Sequence, residues 1–139
     1  MRRFDPSADQ ILIVGLVEGP EGKIRRVRFL VDTGTPHTVI DAPIMDSIGF
    51  GAHLATARSR LWGVSGVIDG YVVKAPRLRV LGHELQGCSI AVHDLPNDLG
   101  VEALLGLDFF RGCYVGIDFC DGTLEVRPRH PGIPRSTVG

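Results

Sequence analysis

Apolar residues in this chain fall mostly at alternate positions or in short runs, with glycine, proline and acids between them. That period belongs to strands. Ile11 to Val17 reads as the first strand, Glu18-Gly19-Pro20-Glu21-Gly22 has turn composition, and a return strand runs through Ile24 to Val31. The arginines at 25, 26 and 28 are interspersed with Val27 and Phe29, as Arg77 and Arg79 are with Leu78 and Val80, so these bases mark the wet faces of strands. His37 to Ile40 predicts a short strand. Asp41-Ala42-Pro43 then offers an N-cap with proline in the first turn, ahead of Ile44, Met45 and Ile48; Gly49 stops a predicted two-turn helix.

Leu54 to Val80 is β-like, with an interruption at Trp62-Gly63-Val64-Ser65-Gly66-Val67 that suggests a hairpin tip; Asp69-Gly70 is a competing turn. Strands are expected at Tyr71-Val72-Val73 and Leu78-Arg79-Val80, on either side of a kink at Ala75-Pro76. Leu81-Gly82-His83-Glu84 turns the chain into Leu85 to Val92, and His93 to Gly100 reads as a loop. Ala103 to Gly106 is a strand leading into a short helix through Phe109-Phe110-Arg111, which Gly112 ends. Tyr114 to Phe119 and Leu124 to Val126 pair across Asp121-Gly122. The organisation is a polar, flexible segment 1–10, one domain over 11–127 and an irregular, proline-rich tail over 128–139. The fold class expected is all-β, with one or two short helices.

Composition narrows the function. With 139 residues and a net charge of −1, the chain fits one domain with a modest core, and interspersed charges give no reason to propose nucleic acid or a membrane as partner. Cys88, Cys113 and Cys120 form no C-x-x-C pair and leave one over, which suits reduced thiols in a cytoplasmic protein. The five histidines show no metal-ligand spacing, so neither metal nor cofactor is expected. Met1-Arg2-Arg3 is followed by acids and Pro6, and the run from Ile11 stops at Glu18, which predicts neither signal peptide nor membrane span.

The candidate chemistry lies where Phe29-Leu30-Val31 leads straight into Asp32-Thr33-Gly34-Thr35. An acid closing an apolar strand sits at the edge of the core. Gly34 lets the backbone donate toward an Asp32 oxygen, and the Thr33 hydroxyl can bond backbone across the turn. An ordinary strand-to-turn junction has the same composition. Downstream, Ala103-Leu104-Leu105-Gly106 repeats the scheme of an apolar run closed by glycine. Asp121-Gly122-Thr123 has no apolar strand leading into its acid and reads as a turn.

The apolar strand into Asp32-Thr33-Gly34-Thr35, the strand His37 to Ile40 and the later Leu104-Leu105-Gly106, in this order and spacing, resemble the retropepsin-like aspartic proteases from about Ile11 to Val126. The resemblance implies a closed barrel, the half-fold of the acid proteases, built of two pseudo-repeated halves. It implies Asp32 as the catalytic acid, supported by Thr33, Gly34 and Thr35, with Leu104, Leu105 and Gly106 packed beneath the acid loop. A glycine-rich flap over the site falls on Trp62, Gly63, Val64, Ser65 and Gly66. There is no room for the two lobes of a pepsin-type enzyme, so the second acid comes from another copy, and a homodimer acting on an extended peptide is implied. Viral members carry an acid at the position of Pro36 and a base at that of Leu107. Both charges are absent here, so that ion pair is missing, and His37 is either a cleft residue or a strand residue with a wet ring. The alternative to an endopeptidase is a non-catalytic module that keeps the fold to dimerise or hold a peptide. A redox or metal protein lacks any ligand spacing.

Overall fold

Alternation in the first hairpin builds the inner wall of the fold. In β2 (Leu12–Glu18), Ile13 and Val17 are buried, and in β3 (Ile24–Val31) so are Val27 and Phe29, which pairs directly with Ile13. The computed structural model describes residues 1–63, 66–96 and 100–129. The remaining elements are β1 (Arg2–Arg3), β4 (Val39–Asp41), α1 (Ala42–Ser47), a 3₁₀ turn at Ala52–Leu54, β5 (Ala57–Gly63), β6 (Gly66–Val80), β7 (His83–His93), β8 (Ala103–Leu105), α2 (Leu107–Phe110), β9 (Cys113–Asp118) and β10 (Thr123–Pro128). The expected residues 64 and 65 of the hairpin tip, part of the loop (97–99) and the tail from 130 to 139 lie outside the described residues.

The main sheet has the order β2-β3-β8-β4-β7-β6-β5, and β2 also pairs with β6, which closes six strands into a barrel and leaves β5 as an outlying edge. Closure covers the β2 edge, which would otherwise invite pairing with other chains. Most ladders are antiparallel. Two are parallel, β3 with β8 and β4 with β7, and the first of these brings residue 31 beside residue 105. The barrel is filled by one large apolar cluster that includes Phe29, Ile40, Met45, Leu78, Ile90, Leu105 and Phe109. A smaller one, Val39, Ala91, Leu95, Val101 and Leu104, with Leu12, Leu30 and Leu61 against it, lies on the opposite face of β3 and β8.

Three local expectations are revised. The stretch either side of Pro76 is one strand rather than two: Pro76 stands opposite Gly87, the ladder skips that single position and continues from Arg77–Gln86 to Val80–His83. A proline costs a ladder only the bond its missing N–H would have made. Asp69-Gly70 lies inside β6, whose ladder with β5 runs on to pair Gly63 with Gly66, so it is not the turn of this hairpin. Residues Arg2–Arg3, in the segment read as loose, pair with Leu124 and Thr123 of β10. Phe4 follows with its N–H on the Gly122 carbonyl at 2.8 Å.

The β6–β7 turn is Leu81-Gly82, both with positive φ (58° and 74°), as a two-residue hairpin of that twist requires. Helix α1 carries its proline in the first turn, but the Asp41 carboxylate does not cap it. Asp41 Oδ1 instead accepts the backbone N–H of Leu95 at 2.9 Å. No helix among the described residues is long and apolar enough to cross a membrane.

Candidate active site

Strand β3 delivers Asp32 to the barrel end, and its neighbour β8 holds it there. The Asp32 N–H donates to the Leu105 carbonyl at 3.0 Å, continuing the parallel ladder by one step. Beyond it the chain turns tightly. Gly34 N–H donates to Asp32 Oδ1 at 3.0 Å and Thr35 N–H to the Asp32 carbonyl at 3.3 Å. A Cβ on residue 34 would stand 3.1 Å from that same Oδ1, so a side chain there would crowd the carboxylate. Asp32 is half-buried while Thr33 and Gly34 are exposed, leaving the acid accessible from one side. The hydroxyl that bonds backbone in this turn is that of Thr35, on the His37 carbonyl at 3.4 Å. Thr33 makes no side-chain hydrogen bond among the described residues.

The loop is latched to the Gly106 turn at several points. Leu107 N–H donates to the Thr35 carbonyl at 2.9 Å and Asp108 N–H to that of Pro36 at 3.1 Å. Gly106 lies against the His37 backbone so closely that a Cβ on it would come within 2.6 Å of the His37 carbonyl carbon and oxygen. Its N–H donates to Thr38 Oγ1 at 3.2 Å, and that hydroxyl in turn donates to Asp108 Oδ1 at 2.8 Å. The Thr38 N–H adds contacts of 3.0 and 3.1 Å to the two Asp108 oxygens.

Asp108 and Thr38 lie outside the site residues that the sequence motifs point to. Nothing local in the sequence joins a threonine in the strand His37 to Ile40 to an acid two residues after Leu104-Leu105-Gly106, some 70 positions apart. Asp108→Ala would strand the N–H and hydroxyl of Thr38, a residue only 1 % exposed. A loss of about 2–4 kcal/mol is expected, read from the denaturant midpoint, with Asp108→Asn milder because it keeps an acceptor.

Of the other sequence candidates, Leu104 and Leu105 point to opposite sides of β8: Leu105 belongs to the barrel core, while Leu104 joins Leu30 in the smaller apolar cluster beside the acid loop. Leu61 of β5 packs on that cluster, so the hairpin reaches the same face. His37 is exposed and borders a cavity of about 290 Å³ shared with Arg58, Ser59 and Arg60 of β5, Val72 of β6 and Ser89 and Ala91 of β7. Trp62 stands at the far end of the hairpin, 74 % exposed, and Gly63 faces Gly66 there. Val64 and Ser65 lie outside the described residues.

Two histidines, at opposite ends of β7, have their protonation suppressed. Burial holds His93 below the ordinary imidazole value, against the opposing pull of Asp69, Asp94 and the Ile68 carbonyl, and burial does the same to His83. The unfolded chain therefore takes up these protons first. The stability they represent is full above the ordinary value, about 6.5, and is lost as the pH falls through and below it. The urea midpoint is expected to drop between pH 7.5 and 5.5, and to drop less in His93→Phe.

The cysteines are unpaired. Burial pushes the Cys88 thiol up to about 11 and raises that of Cys113, which meets His83 Nε2 at 3.5 Å. No group of three or more His, Cys, Asp or Glu among the described residues is arranged to hold a metal.

A family model described as aspartyl protease matches residues 15–109 of the chain. Among solved structures the chain is similar to a retropepsin-like aspartic protease from Rickettsia conorii, with a TM-score of 0.58 and 21 % identity over 85 % of this chain and 89 % of that one. It is also similar to EIAV protease in complex with the inhibitor HBY-793, with a TM-score of 0.55 and 15 % identity over 76 % of this chain and 88 % of that one. Comparison with curated protein sequences gives no match. The matched segment spans both the Asp32 turn and the Gly106 latch, and the six-stranded closed barrel around them is shared: the chain belongs to the aspartyl protease family and has the retropepsin-like fold.

Proposed function

We propose that the protein is an aspartic endopeptidase that acts as a homodimer, each copy supplying Asp32. The observation that carries this reading is the Asp32 turn itself: a half-buried carboxylate closing an apolar strand, one oxygen held by Gly34 N–H, on a loop latched from below by Leu105 and Gly106. Amide hydrolysis needs a water deprotonated and a carbonyl oxygen protonated in one step. A lone carboxylate cannot do both. Two acids brought together across a two-fold axis repel, so the pair keeps one proton: the ionised member takes a proton from water while the other donates to the scissile carbonyl oxygen. The interface is isologous, and the exposed Thr33 of each copy faces its mate to keep the two acids coplanar.

Substrate binding follows from the face that Asp32 opens onto. Leu30, Leu104 and Val39 give an apolar floor, and the β5–β6 hairpin acts as the flap, Leu61 resting on that floor and Trp62 and the Gly63–Gly66 end reaching beyond. An extended peptide lies between floor and hairpin with strand-like backbone bonds, one of its side chains entering the cavity bordered by His37. A closing hairpin excludes bulk water from the acids. Three unpaired thiols suit a reducing compartment, which supports a cytoplasmic setting.

The test is digestion of a peptide library from acid to neutral pH, with the mass in solution measured at the same concentration. Cleavage by a species of twice the chain mass is expected. Peptide binding without turnover would favour the non-catalytic module instead.

A further inference from the structure

His93 is 2 % exposed, is not used by the chemistry above, and has a ring nitrogen, Nδ1, with no hydrogen-bond partner. Its other nitrogen, Nε2, meets Ser59 Oγ at 2.8 Å. The two residues are not on neighbouring strands. β7 carries His93, β5 carries Ser59, and β6 runs between them. Ser59 pairs with Gly70, and the β6–β7 ladder that joins Tyr71 to Val92 puts Gly70 beside His93 on the next step.

The three residues therefore form one row across three strands, with a glycine in the middle. The row spans two inter-strand gaps, roughly 10 Å between the outer backbones. An imidazole lying across the middle strand bridges that span only if the middle residue has no side chain. A Cβ on Gly70 would stand 2.6 Å from His93 Nδ1 and press into the Val92 carbonyl. Gly70 is thus the clearance for a side chain that reaches past its neighbour.

We infer that the His93 ring is a strut which crosses Gly70 to pin Ser59, fixing the outer strand of the β5–β6 hairpin to the barrel and so setting the cavity wall beside His37. The inference rests on the reading of that hairpin as the element covering substrate. β5 is the edge of the sheet, paired only with β6 among the described strands, so it depends on side chains for any tie to β7. The charged groups along the row are those of β5 and β6 and the residue after β7. Arg60 and Asp69 pair with each other at 3.4 Å, Arg58 is exposed, and Asp94 is exposed. None of them hydrogen-bonds Ser59 or the His93 ring. Ser59 and His93 are positioning residues in this account: they act on substrate through the strand they hold.

The experiment uses Trp62, the only tryptophan in the chain, three positions along β5 from Ser59. In Ser59→Ala, Trp62 fluorescence anisotropy is expected to fall and the β5 amides to exchange about 3- to 10-fold faster, the worth of one hydrogen bond, while β2 and β3 amides are unchanged. With a peptide substrate, KM rises by a similar factor and kcat holds. Ser59→Thr, which keeps the hydroxyl, restores the wild-type values. Gly70→Ala, which displaces the ring, reproduces the Ser59→Ala anisotropy. Unchanged anisotropy and exchange in Ser59→Ala overturns the strut, even with cleavage intact. Loosened β5 in a protein that cleaves nothing upholds the strut and removes the endopeptidase reading.

Discussion

Asp32→Asn is expected to abolish peptide hydrolysis while leaving the fold in place. The substituted amide keeps an oxygen to accept the Gly34 N–H now found at 3.0 Å, and the other latches of the loop run through backbone, Thr38 and Asp108, so the denaturant midpoint should barely move. The chemistry is affected differently. An amide can neither take a proton from water nor give one to a carbonyl oxygen, and general acid–base assistance alone accounts for about 10²–10⁴ in rate. Because each copy contributes the same residue, one substitution removes both roles, and the fall in kcat/KM lies at or beyond the upper end of that range. Equal cleavage by both proteins would exclude Asp32 as the acid.

Gly106→Ala has the second largest expected effect, for a steric reason. The backbone at Gly106 is extended (φ −91°, ψ −179°), a conformation alanine adopts freely, so no conformational penalty arises. The penalty comes from the added carbon, placed 2.6 Å from the His37 carbonyl group, which is backbone and cannot rotate away. Either the 35–38 segment or β8 must shift. Such overpacking costs about 1–3 kcal/mol. The shift also stretches the Leu107–Thr35, Asp108–Pro36 and Gly106–Thr38 bonds that hold the acid loop, and misplacing a reacting group by about 1 Å costs about 10²-fold in rate. Both losses are expected, by denaturation and by kcat/KM. A fully stable, fully active Gly106→Ala would show that the latch does not position Asp32.

Elements legible in the sequence are those whose cause is local. The β2–β3 hairpin follows from alternation either side of a Glu-Gly-Pro-Glu-Gly turn, and the contact of Gly34 with Asp32 spans two residues. Contacts that join distant segments left no local trace. Asp41 looks like the cap of α1, yet it serves Leu95, 54 positions away, and Asp108 reaches Thr38 across 70. Gly70 reads as half of an Asp-Gly turn because the ring that needs its missing side chain comes from His93, on another strand. Composition points to the Thr33 hydroxyl as readily as to that of Thr35, and only the path of the chain to His37 separates them.

The dimeric acid pair is tested most directly by diluting it. Wild type and Asp32→Asn are unfolded together, refolded at fixed total concentration and assayed on one peptide while the wild-type fraction is varied. If two copies must each bring Asp32, activity follows the square of that fraction, and an equal mixture retains about a quarter of the wild-type rate. Activity proportional to the fraction, with about half retained in the equal mixture, would mean that each chain works with its own acid alone and would contradict the account.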